Sequence, residues 1–129
     1  MSKGLLIGLG VFLAVVVAGI FITMNPKTAK TPAKINGPVK EFNVSAKEFA
    51  YTPSTITVNK GDAVKINFAN DGTTAHNFTI SEFNVATKTI SPGESDSITF
   101  TPTASGTYSF FCSVDSHRSL GLQGTLEVK

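Results

Sequence analysis

From Val39 to Lys129 apolar and polar residues alternate in short runs broken by turn signals, and this period of two constrains the fold more than any other feature of the chain. Phe42, Val44 and Ala46 alternate with polar neighbours. So do Ile56 and Val58, Val64 to Phe68, Ile98 and Phe100, Tyr108 and Phe110, and Leu126 and Val128. Turn-forming clusters stand between them: Asn59-Lys60-Gly61-Asp62, Asn70-Asp71-Gly72 and Ser91-Pro92-Gly93-Glu94. Successive side chains of a strand point to opposite faces, so the pattern buries one face and wets the other. Strands at this spacing predict an antiparallel sandwich or barrel. About 90 residues suffice for one two-layer core without disulfides.

Ahead of this domain the chain has a different character. Gly4 to Thr23 is uncharged and almost wholly apolar. About 20 such residues are what a bilayer-spanning helix needs. A cleaved signal peptide has a shorter apolar region followed by a small-x-small site. Here the run continues past Ala18 to Ile22, and Met24-Asn25-Pro26-Lys27 makes a poor cleavage site. The expectation is a single uncleaved transmembrane anchor over residues 1–24. Residues 25–38 contain Pro26, Pro32 and Pro38 among polar residues and read as a semi-extended tether. The folded domain then covers residues 39–129.

Charge narrows the choice of partner. The formal net charge is +2, but four lysines and no acid precede Val39. The domain itself carries seven basic and nine acidic residues, a net −2. A nucleic-acid binder needs a basic face on the folded unit, so none is expected here.

Cys112 is the one cysteine of the chain. It excludes an internal disulfide and the paired-cysteine zinc patterns. A lone cysteine is most often a buried small hydrophobe. Its company is what distinguishes it. His117 follows at C-x4-H spacing, and His76 is the one other histidine. One thiolate and two imidazoles suit copper in both oxidation states, or zinc. Cys112 closes an alternating strand, His117 lies past a short loop, and His76 arrives from another strand. Strand ends of both sheets meet at one pole of a sandwich, so the three can converge. A Cys-His hydrolase would need a third orienting group and an oxyanion site. Asp115 and Ser116 are too close to His117 in sequence to build one, so enzymatic activity is not expected.

The stretch from Tyr108 to Leu126 resembles the copper loop of the cupredoxins, the small blue-copper proteins. Their pattern is an aromatic-rich strand into Cys, a loop, His, then Gly-Met-x-Gly and a final strand. Pro53 to Asp62, His76-Asn77-Phe78 and Ser91 to Glu94 are similar to further segments of that family. The resemblance implies an all-β Greek-key sandwich, cupredoxin-like, here preceded by the transmembrane helix. It implies one copper ion with His76, Cys112 and His117 as ligands. Ala75 would present a backbone carbonyl near the metal, and Asn77 would tie the two ligand-bearing segments together. The copper domain of oxidase subunit II is also similar, but its dinuclear site needs a second cysteine that this loop lacks.

The family's axial methionine is missing. Leu122 follows Gly121 where Met would stand, and the methionines present are Met1 and Met24. Gln123 is an alternative donor if the loop shifts by one residue, but neighbours on a strand face opposite ways. The expected function is a one-electron carrier of high reduction potential. Its partners would be membrane-associated redox proteins (an oxidase, reductase or cytochrome), and its domain would lie on the extracytoplasmic face. Val114, Leu120 and Leu122 would form an apolar collar for docking. The alternatives are a copper-binding or delivery protein, and an immunoglobulin-like interaction domain with a buried free cysteine.

Overall fold

The computed structural model of the protein describes residues 37–129. The expected anchor and all but the last two residues of the tether lie outside them. Among the described residues no helix is long and apolar enough to cross a membrane.

Among the described residues nine strands form two sheets. Their ranges are β1 Val39–Lys47, β2 Ala50–Thr52, β3 Thr55–Val58, β4 Ala63–Asn70, β5 Thr79–Ile80, β6 Val85–Ala86, β7 Ser95–Phe100, β8 Gly106–Phe111 and β9 Gln123–Val128. One sheet has the order β2-β1-β4-β7 and the other β3-β9-β8-β5-β6. The fold is thus an all-β two-sheet sandwich, as the alternation predicts. A single 3-10 turn, Ser81–Phe83, joins β5 to β6.

Two pairings depart from the antiparallel expectation. β1 runs parallel to β4, and β3 runs parallel to β9. The cause is the crossing of the chain between layers. After the β1–β2 hairpin the chain enters the second sheet as β3, then returns to the first as β4 beside β1. A connection that leaves a sheet and comes back brings its strand in parallel. The short strands β2, β5 and β6 leave little periodic signal in the sequence, because two or three residues cannot establish a period.

Alternation decides burial as expected. Val44, Ala46, Ile66 and Phe68 of the first sheet face Ile56, Ile80, Phe110, Leu126 and Val128 of the second, all buried. Aromatic rings fill the interior next to the chain's chemistry. Phe78 stacks on Phe110 with centroids 4.8 Å apart. Tyr51 meets both edge-on, at 5.7 and 5.3 Å. Such pairs add about 0.5–1.5 kcal/mol beyond the area they bury. This packing sets β8, which leads into Cys112, rigidly against the segment that carries His76.

Candidate metal centre

His76, Cys112 and His117 come together at one end of the sandwich. Their ligand atoms all lie within 4.8 Å of one another. Each arrives by a different local route.

His76 sits between β4 and β5, where an isolated bridge pins it to Ile90. The His76 N–H donates to the Ile90 carbonyl at 3.1 Å, and the Ile90 N–H returns a bond at 2.9 Å. Buried Asn70 holds the preceding loop. Its amide donates to the carbonyls of Thr74 and Ile90 at 2.8 and 2.9 Å, and its oxygen accepts from the Gly72 N–H at 3.0 Å. A buried amide with its capacity used this fully is a strong local organiser.

Cys112 immediately follows β8 and is fully buried. Its N–H donates to the Leu122 carbonyl at 3.0 Å. Inside the loop so closed, the Leu122 N–H donates to the His117 carbonyl and the His117 N–H to that of Val114, both at 3.0 Å. Arg118 lies over the Phe111 ring at 4.0 Å from its centroid, which fastens the loop to the strand. His117 is half-buried, so the loop leaves part of its ring in reach of solvent.

The donor geometry is specific. The Nδ1 atoms of His76 and His117 are 3.2 Å apart, and Cys112 Sγ is 3.6 Å from His117 Nδ1. Metal–nitrogen bonds of about 2.0–2.1 Å and a metal–sulfur bond of about 2.3 Å require donor separations of roughly 3.3–3.8 Å. The Cys112–His117 separation lies inside that range and the His76–His117 separation just short of it, so the three donors are placed to close on one small metal ion. Burial pushes the His76 imidazole below its ordinary pKa of 6.5. The Glu48 carboxylate opposes that shift and the His117 ring adds to it. Neutral imidazole is the form that ligates a metal.

Asn77 joins the two ligand-bearing segments. Its side-chain oxygen accepts from the Ser113 N–H at 2.8 Å, and its amide donates to Ser113 Oγ at 2.7 Å and Thr89 Oγ1 at 3.2 Å. The residues beside His76 and Cys112 are thereby clamped. Buried Tyr51 donates its hydroxyl hydrogen to the Asn77 carbonyl. The same burial drives the Tyr51 phenol far above its usual range, so it stays a donor. Ala75 is half-buried beside His76.

Leu122 is fully buried and packs in the same core as Cys112, while Gln123 is exposed. This revises the expected surface collar. Leu122 cannot belong to it, because its side chain points inward. The exposed apolar side chains of the site's turns are Leu120 and Phe49, the latter 39% exposed, with Val114 half-buried. The Phe49 ring stands edge-on to His117 with centroids 5.8 Å apart.

Sequence reasoning did not identify Glu48, Phe49, Tyr51 or Ser113 as parts of the site. Glu48 and Phe49 lie in the β1–β2 turn, far upstream of every ligand. The one local signal there is a bulky residue in a turn: Phe49 takes φ 61°, a left-handed value seldom adopted by large side chains.

A sequence model described as the cupredoxin-like domain matches residues 12–126. No curated protein sequence matches the chain. The fold is similar to that of dithionite-reduced auracyanin from the photosynthetic bacterium Roseiflexus castenholzii. That match has 27% identity and a TM-score of 0.64, covering 72% of this chain and 99% of the other. Auracyanin A of Chloroflexus aurantiacus, described as a "blue" copper protein, matches with 22% identity and a TM-score of 0.63 over 71% and 100% of the two chains. The metal-binding domain of the Streptococcus pneumoniae Cu(I)-exporting P-type ATPase, solved with Cu(I), matches with 24% identity and a TM-score of 0.57 over 70% and 86%. The last two likenesses are of fold.

Proposed function

This chain belongs to the cupredoxin-like domain family, and on that premise we propose that it is a one-electron carrier with a single type 1 copper held by His76, Cys112 and His117. The observation that carries the reading is the convergence of two imidazoles and one thiol sulfur within 4.8 Å, with His76 and Cys112 buried and His117 half-buried. The similarity to a reduced auracyanin supports it.

Copper in this donor set supplies a Cu(II)/Cu(I) couple, because thiolate and imidazole serve both states. The chain's own residues do the rest. Cys112 and His76 are sealed from water, and Asn77 holds their segments together across both ligand strands. Leu122 is a buried saturated side chain with no donor atom, and at the axial position it would withhold a donor from a bound copper. Withholding an axial donor and keeping that side dry both disfavour the more highly charged oxidised state, so the potential is high for the class. His117 is the half-buried ligand and the route for electrons. Leu120 and Phe49 flank it as apolar contacts for a redox partner. The proposal extends to a membrane-associated partner and an extracytoplasmic domain, on the support of the uncharged apolar run over residues 4–23, which is long enough to serve as an anchor.

Absorption and EPR spectra of the full chain loaded with Cu(II) test this directly. The expected result is an intense visible thiolate-to-copper band that Cys112→Ser abolishes. A chain that binds copper tightly without that band would be a delivery protein, and the electron-carrier reading would be lost.

A further inference from the structure

His76 has two ring nitrogens, and only one of them faces the other ligands. The second, Nε2, is buried and has no partner within ordinary hydrogen-bond geometry. The acceptor facing it is the Glu48 carboxylate, with Oε1 at 3.4 Å. That carboxylate is itself fixed. Its Oε1 accepts from the N–H groups of Thr73 and Thr74 and from Thr74 Oγ1.

The approach is cleared by Gly72. A Cβ there would lie 2.6 Å from Glu48 Oε1 and 2.8 Å from His76 Nε2. Any side chain at 72 would push the carboxylate and the imidazole apart. The same β1–β2 turn thus reaches both imidazoles: Glu48 meets His76, and its neighbour Phe49 meets His117.

We infer that Glu48 is a positioning residue for His76: its carboxylate holds the ring proton on Nε2 and keeps the Nδ1 lone pair turned toward Cys112 and His117. A carboxylate behind a ligating histidine selects the tautomer, steadies the ring and raises its basicity. The 3.2 Å separation of the two Nδ1 atoms then has a definite proton assignment. His76 Nδ1 accepts, and His117 donates from Nδ1 in the metal-free chain. Without the anion, either ring can carry the shared proton. The part of this inference that concerns metal affinity rests on the proposed function; the part that concerns the proton does not.

The experiment uses the full metal-free chain with 15N-labelled histidines at neutral pH. Long-range 1H–15N correlation reads the tautomers, and competition titration reads Zn(II) affinity. His76 is expected as a single Nε2–H tautomer. In Glu48→Ala it becomes a mixture of tautomers, and Zn(II) affinity falls 10- to 100-fold. Glu48→Gln keeps an acceptor of the same shape. It should retain Nε2–H, move that proton's resonance upfield and lose less than tenfold in affinity. A role confined to capping the Thr73–Thr74 turn would leave the tautomer untouched. A folded Glu48→Ala chain with pure Nε2–H and wild-type affinity overturns the inference. If Glu48→Ala does not fold, a Glu48→Gln proton resonance unchanged from wild type overturns it. Tautomer exchange in Glu48→Ala, in a chain that shows no blue colour with copper, refutes the electron-carrier reading and leaves this inference standing.

Discussion

At position 122 the chain has an aliphatic side chain, fully buried against the core that holds Cys112, and the proposed copper site would have its axial position there. The exchange is small in volume and large in chemistry. Leu→Met swaps in a core cost less than about 1.5 kcal/mol, so Leu122→Met should fold normally. It restores an axial thioether, which favours the oxidised state. The potential should therefore fall on voltammetry of the copper-loaded chain, with the blue band retained. A rise, or no change, would mean that residue 122 does not face the metal. Asn77 illustrates the other kind of residue effect, in which one buried amide satisfies partners in two segments at once. Polar groups placed like this specify geometry because any other arrangement leaves them unpaired.

Among the elements, β8, β9 and the loop between them carry the site. Cys112 follows the last residue of β8, and Leu122 precedes the first of β9. Register between these strands therefore sets where sulfur and the axial side chain lie. Phe110 is paired with Gly124 across the sheet, and the Phe110 ring covers that glycine. A Cβ at 124 would overlap the ring and come within 2.6 Å of the Ser54 carbonyl oxygen. Gly124→Ala should cost about 1–3 kcal/mol, read from the denaturant midpoint, as overpacking in cores does. The strain would pass through the Phe110–Phe78 stack to the segment bearing His76. A Gly124→Ala chain as stable as wild type would refute this close packing.

For the molecule as a whole, acid acts in one direction. Burial lowers the His76 pKa below 6.5, so the unfolded chain binds a proton that the folded one refuses. That contribution is complete above about pH 6.5 and is lost as pH falls toward the folded value. Depressed carboxyls act further down. The Lys40 ammonium with the Asn59 N–H lowers Asp62, and the Lys88 N–H lowers Asp96, both from 3.8. Glu48 moves from 4.5 to about 2. Each is ionised when folded, so its stabilisation is present above the unfolded value and disappears as pH drops through the folded one. These groups are open to solvent, which keeps each effect small. The melting temperature of the metal-free chain should be level from pH 7 to 8, decline from about 6.5, and decline again below about 4.5. A melting temperature that rises on acidification through pH 6 would contradict the desolvated His76.

Much of this protein was legible in its sequence. Alternation marked six of the nine strands of the described residues and the faces they bury, because the period of a strand is a local property of backbone geometry. The candidate donors were legible for a different reason: with one cysteine and two histidines, a His₂Cys cluster has a single composition. What sequence could not decide was which residues from distant turns stand behind the ligands. Glu48 and Phe49 reach the two histidines only after β1 pairs with β4 and brings its hairpin to the same pole. Parallel pairing of β1 with β4 and of β3 with β9 came from crossings between layers, which leave no trace in the period. Leu122 was readable as an aliphatic residue where the resemblance expects a donor, yet its burial away from the surface collar followed from the β8–β9 register. Local backbone geometry wrote the strands and the chemistry of the donors; long-range packing alone chose their neighbours, and with them the proton, the dryness and the exposure of the site.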